Sequence, residues 1–122
     1  MEMEKPNGRG LTRLINAGRC SIAGIGYAIR HEAAFRQELI VCSVLIPLAL
    51  FITADPVKRI LLIGPLLLVL AVECANSAIE AAIDRISLSR HPLSKQAKDL
   101  GSAAVFFCML IAALSWGLIL FS

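Results

Sequence analysis

Charge is scarce in this chain. Of 122 residues, 17% are charged against 57% hydrophobic, and the mean hydropathy is +0.75. A soluble domain of this length carries about 25% charged and about 45–50% apolar residues. The shortage excludes a disordered segment, a collagen-like chain and an ordinary soluble enzyme, and the length allows one domain over residues 1–122. The net charge of +3, from 12 Lys/Arg and 9 Asp/Glu, is too small to mark a nucleic-acid-binding surface. No P-loop, Gly-rich nucleotide loop or nucleophile elbow occurs, nor any internal repeat or low-complexity tract. Cys20, Cys42, Cys74 and Cys108 are scattered, with no C-x-x-C and no metal-type spacing to His31 or His91. Cys42 and Cys108 fall in apolar runs, where they act as small hydrophobes, and no structural disulfide is expected. The first 38 residues contain Glu2, Glu4, Glu32 and Glu38 and lack an unbroken apolar core before a small-residue cleavage site, so a signal peptide is not expected.

Long apolar runs are what the chain has instead. A membrane-spanning helix needs about 20 such residues; three runs can supply it, although the first, about Leu39–Thr53, is short by itself and must recruit Ala33, Ala34 and Phe35. Lys5, Arg9, Arg13, Arg19, Arg30 and Arg36 precede the first run, and Arg85, Arg90, Lys95 and Lys98 lie between the last two. Only Lys58 and Arg59 separate the first two runs, and no basic residue follows Lys98. The positive-inside bias therefore puts the N-terminus and the second connection on the cytoplasmic side.

The expected fold class is an all-α membrane protein with an N-terminal amphipathic surface helix and three transmembrane helices. Residues 1–10 are polar, with Pro6, Gly8 and Gly10, and read as a frayed tail. Over residues 11–30, Leu11, Leu14, Ile15, Ile22, Ile25 and Ile29 recur at helical spacing opposite Arg13, Asn16 and Arg19. Such a helix suits a membrane surface; the alternative is a cytosolic helix packed on its own protein. The spans are expected at residues 32–53, with Pro47 inside, 57–86 and 97–121. Ala54-Asp55-Pro56 reads as a turn, Ser87–Lys95 as a loop containing Pro92, and Trp116 as an interfacial anchor near the far face.

Chemistry concentrates in the second span. Glu73, Asn76, Ser77, Glu80 and Asp84 fall within about 100° of one another on a helix. Ala71, Ala75, Ala78 and Ala82 line another face, where small residues let a helix approach closely. If the span begins near Ile60, Glu73 lies about 10 Å inside the cytoplasmic boundary. An ionisable residue at that depth is a functional candidate by default, and it suits a general base; a purely structural Glu is the alternative. Glu32 and Arg36 stand four residues apart, the spacing of a helix ion pair. Yet Glu32 and Glu80 both fall at the cytoplasmic interface, where two carboxylates suit Mg²⁺ bridged to phosphates. Lys95, Lys98 and Asp99, with Arg85, Arg90 and His91, gather charge at the start of the third span, where a helix N-terminus attracts phosphate. Residue chemistry alone leaves two readings open: phosphoryl transfer to a lipid, and a small proton-coupled transporter with Glu73 as carrier.

Three stretches resemble the small prokaryotic integral-membrane diacylglycerol kinases: Glu32-Ala-Ala-Phe-Arg-Gln-Glu38, Glu73-x-x-Asn-Ser-Ala-Ile-Glu-Ala-x-x-Asp-Arg-Ile86 and Ala97-Lys-Asp-x-Gly-Ser-Ala-Ala104. Their order and spacing agree with that family from Leu11 onward. The resemblance implies a homotrimer in the bacterial inner membrane that uses ATP and Mg²⁺ to phosphorylate diacylglycerol to phosphatidic acid. A related group of membrane kinases that prefers undecaprenol is the alternative. By the resemblance, Glu73 is the general base, supported by Asn76, and Glu32 and Glu80 hold the metal on ATP. Arg13, Ser89, Arg90, His91, Lys98 and Asp99 line the nucleotide site with those two carboxylates. The lipid lies near Arg13, Ser21, Glu38, Glu73 and Ser102.

Overall fold

The computed structural model describes residues 9–122, and among them the chain forms four helices: α1 (Gly10–His31), α2 (Ala33–Ile52), α3 (Pro56–Ile86) and α4 (Pro92–Leu120). The expected tail lies outside the described residues as far as residue 8. Helices α2, α3 and α4 are each long and apolar enough to cross a membrane, so the chain is an all-helical membrane protein. Their 20, 31 and 29 residues correspond to about 30, 46 and 43 Å. The hydrocarbon core is about 30 Å thick, so α3 and α4 have length to spare for a polar end.

Local chemistry sets the boundaries. Glu32 breaks the chain between α1 and α2 with extended dihedrals, φ −114° and ψ 104°. Arg36 then reaches back, its guanidinium donating to the carbonyls of Ile29 (3.0 Å) and Arg30 (3.1 Å), which the end of α1 leaves without partners. This corrects the expected Glu32–Arg36 ion pair. Four-residue spacing brings side chains together only within one continuous helix, and no ion pair joins these two among the described residues. At the far side, Asp55 caps α3 by accepting from the Val57 N–H at 3.1 Å, with Pro56 in the first turn. Arg59 fastens α2 to the same turn, donating to the carbonyls of Thr53 (2.7 Å) and Leu50 (3.0 Å).

The third span begins earlier than expected, at Pro92 rather than residue 97, which shortens the preceding loop to Ser87–His91. Pro92 opens the helix where a missing N–H costs nothing, and His91 Nδ1 accepts from the Leu93 N–H at 3.1 Å.

Helix α3 is central, with α4 packed along one side and α2 along another. Leu62, Leu66 and Val69 meet Cys42 and Ala49 of α2 and Val105 and Cys108 of α4 in a small buried core. All four cysteines are free. Trp116 is half-buried, and its indole N–H donates to the Leu62 carbonyl at 2.9 Å. Away from water an indole N–H needs an acceptor, and the Leu62 carbonyl of the α3 backbone supplies it. The Leu11 and Ile22 side chains of α1 remain 72% and 73% exposed, so the rest of the chain leaves that apolar face uncovered. Ala71, Ala75, Ala78 and Ala82 are exposed as well.

Candidate active site

Two polar side chains are buried in the membrane portion among the described residues: Glu73, 8% exposed, and Asn76, 9% exposed. Both lie on the side of α3 that packs inward with Leu62, Leu66 and Val69. Helix α2 brings a half-buried Glu38 to the same level, its carboxyl beside that of Glu73. The Glu38 Oε2 is buried without a partner among the described residues.

One turn further, Asn76 Nδ2 donates to Glu80 Oε1 at 3.5 Å, the outer edge of hydrogen-bonding distance. The Asn76 carboxamide lies flat against α4 at Gly101, and its Oδ1 is buried with no partner among the described residues. Glu38, Glu73, Asn76 and Glu80 therefore mark a polar strip along the bundle, within which Asn76 and Glu80 are hydrogen-bonded. Below it runs an apolar groove of about 420 Å³ between α2, α3 and α4, lined by Glu38, Cys42, Leu66, Val69, Met109 and Trp116. That volume lies in the range of small-molecule sites. A molecule with an apolar body and a polar end fits this arrangement, its polar end at the carboxyls.

A second cavity, about 700 Å³, opens where α3 hands over to α4 and is lined by Ser89, Arg90, His91, Lys95, Lys98 and Asp99. Both of its lysines are paired: Lys95 Nζ lies 2.6 Å from Asp99, and Lys98 Nζ lies 2.9 Å from Asp84 on α3. The Ser87 and Ser89 hydroxyls are 2.7 Å apart, and the Ser89 N–H donates to Ser87 Oγ at 3.0 Å, which shapes the loop. A third cavity, about 490 Å³, lies between α1 and α3 and is lined by Ser21, Tyr27, Glu32, Cys74, Ser77 and Ala81.

The structure thus gathers most of the expected residues into three groups. Glu38 joins Glu73, Asn76 and Glu80; the loop residues join Lys98 and Asp99; Ser21 joins Glu32. Glu32 faces the Cys74–Ala81 side of α3, about 100° round the helix from Glu80. Arg13, near the start of α1, and Ser102, on α4, are exposed and pair with none of the other expected residues. No group of three or more His, Cys, Asp or Glu able to hold a metal occurs among the described residues. Glu32 and Glu80 lie on different sides of α3. Sequence reasoning missed Gly101, whose part depends on how α3 and α4 register against each other.

A family profile described as prokaryotic diacylglycerol kinase matches residues 19–120. A diacylglycerol kinase of Pseudomonas aeruginosa is 50% identical over 111 residues, covering 91% of this chain and 90% of the relative. Those of Haemophilus influenzae and Escherichia coli K12 are 46% and 43% identical, each covering 95% of the relative and 92% and 95% of this chain.

Proposed function

The chain belongs to the prokaryotic diacylglycerol kinase family, and we propose that it transfers the γ-phosphoryl group of ATP to the free hydroxyl of diacylglycerol, yielding phosphatidic acid and ADP. The observation that carries this reading is the buried Glu73 carboxyl, in line with Asn76 and Glu80 on α3 and beside Glu38, which lines the apolar groove.

In this reading Glu73 accepts the hydroxyl proton as the lipid oxygen attacks the γ-phosphorus, and ADP leaves from the opposite side. The packed helices hold Glu73 in place, Asn76 one turn on holds Glu80 instead, and the groove seats the lipid chains beside the carboxyls. The Ser89–His91 loop with Lys98 and Asp99 holds the nucleotide, where Arg90 and Lys98 offset phosphate charge. Glu32 and Glu80 would hold a divalent cation, Mg²⁺, with the nucleotide, and that cation would supply charge neutralisation during transfer. Arg13 joins the nucleotide, and Ser21 and Ser102 the lipid, when the surface helix and the neighbouring chain come together.

Assembly belongs to the same proposal. Ala71, Ala75, Ala78 and Ala82 are exposed on a single chain, and they supply a close-packing face for further copies in a homotrimer. The bare apolar side of α1 rests on the cytoplasmic surface of the bacterial inner membrane, with the N-terminus cytoplasmic as the basic residues require. There the enzyme returns diacylglycerol to phospholipid synthesis.

The test offers the purified protein diacylglycerol or undecaprenol with MgATP in detergent micelles. Phosphatidic acid formed faster than undecaprenyl phosphate is the expected result. Phosphorylation of the polyprenol alone overturns the substrate, and substrate flux in sealed vesicles with no ATP consumed overturns the kinase.

A further inference from the structure

The contact between Asn76 and Gly101 gives the glycine a task that the reaction chemistry does not by itself assign. Gly101 is buried on α4, and a Cβ built there would collide with Asn76 Oδ1 and lie 3.2 Å from its Cγ and 3.9 Å from its Cβ. None of the other glycines among the described residues would place a Cβ within 3.4 Å of a neighbour outside its own helix backbone. The Asn76 side chain therefore occupies the space that a side chain at position 101 would take. The second Cα hydrogen of Gly101, the one a side chain replaces, points toward Asn76 Oδ1. That weak C–H···O contact is what the oxygen has among the described residues, since it is buried and makes no hydrogen bond. With the oxygen turned to α4, the amide nitrogen is turned to Glu80.

We infer that Gly101 is a positioning residue of the phosphoryl-transfer site: the absence of its side chain seats the Asn76 carboxamide between α3 and α4 and keeps its N–H directed at the Glu80 carboxylate. The inference rests on the assignment of Glu80 to the metal-nucleotide site. A methyl group at position 101 does not need to unfold the bundle, because the atom it strikes is the end of a rotatable side chain. It forces Asn76 to swing out and release Glu80. Loss of such an outer contact to a metal-holding group typically costs about 10–100-fold in metal affinity or activity.

The experiment compares wild type with Gly101→Ala, Asn76→Ala and the double variant in micelles. It reads three quantities: the Mg²⁺ concentration for half-maximal ATP turnover, the KM for diacylglycerol, and Mn²⁺ binding by EPR with a non-hydrolysable ATP analogue. Gly101→Ala is expected to raise the Mg²⁺ requirement and weaken Mn²⁺ binding by about 10–100-fold while the lipid KM stays put. The double variant should match Asn76→Ala alone, because removing the carboxamide makes room for the methyl. If Gly101→Ala fails to fold, the double variant is expected to fold, and its failure to do so overturns the inference. So does a Gly101→Ala penalty that persists undiminished in the Asn76→Ala background, or one that falls on lipid KM instead of metal. A wild-type protein without kinase activity would instead defeat the functional proposal, and the Mn²⁺ readout keeps the two failures distinct.

Discussion

The Lys98 ammonium on α4 lies 2.9 Å from the Asp84 carboxylate on α3, and the pair closes the wall of the cavity beside the Ser87–His91 loop. Both side chains are nearly half exposed, at 42% and 48%. Exposed ion pairs contribute about 0–1 kcal/mol, so this pair is a weak fastening that phosphate oxygens can displace.

Separate roles for the two partners follow. Asp84→Asn should leave unfolding in micelles almost unchanged and keep the KM for ATP at or below the wild-type value, because Lys98 is then free for phosphate. Lys98→Met should raise the KM for ATP severalfold without altering the KM for diacylglycerol. Equal losses of ATP affinity in both variants would mean that the pair itself, rather than the cation, shapes the site.

Glu32 and Glu80 are expected to act on the metal-nucleotide and to contribute little to stability. Glu32 forms no ion pair with Arg36, whose guanidinium caps α1 instead, so Glu32→Gln removes no fastening from the fold. Glu32→Gln and Glu80→Gln should each raise the Mg²⁺ requirement and depress turnover while the apo protein unfolds at nearly the wild-type temperature. Arg36→Ala should do the reverse, since it uncovers two carbonyls at the end of α1. Mg²⁺ titrations of activity, paired with thermal unfolding, separate these outcomes. An unchanged Mg²⁺ dependence in both Glu variants would remove the metal assignment.

Much of this was legible in the chain because it is local. The Asp55-Pro56 start of α3 needs only a capping side chain and a proline tolerated in the first turn, and the span lengths follow from hydropathy. Glu73 and Asn76 stood out because buried polar groups in an apolar run are rare. Pro92 was misread because proline both breaks helices and opens them, and the His91 cap that decides the matter involves a side-chain rotamer. The Glu32–Arg36 spacing misled because a single non-helical residue between α1 and α2 suspends the four-residue rule. Trp116 and Leu62 are 54 residues apart, and Asn76 meets Gly101 only across the α3–α4 interface. No periodicity carries such pairings.

Assembly of copies should be needed for activity. Within one chain Arg13 and Ser102 stay exposed and apart from Glu73, and the alanine face of α3 is uncovered. Mixing two inactive variants, Glu73→Gln and Asp99→Asn, tests whether neighbouring chains share a site: partial recovery of activity in co-assembled mixtures is the expected result. A fully active monomer, shown by sedimentation under assay conditions, would remove the shared site.

The role of Glu73 as proton acceptor is the claim on which the rest depends, and Glu73→Gln tests it most directly. The amide is nearly isosteric and can still hydrogen-bond to Glu38, so the fold and the binding of MgATP should persist. Phosphorylation of diacylglycerol in micelles at saturating MgATP should fall by about 10²–10⁴-fold, the usual contribution of a general base. Turnover near the wild-type rate in a folded Glu73→Gln protein would contradict the account.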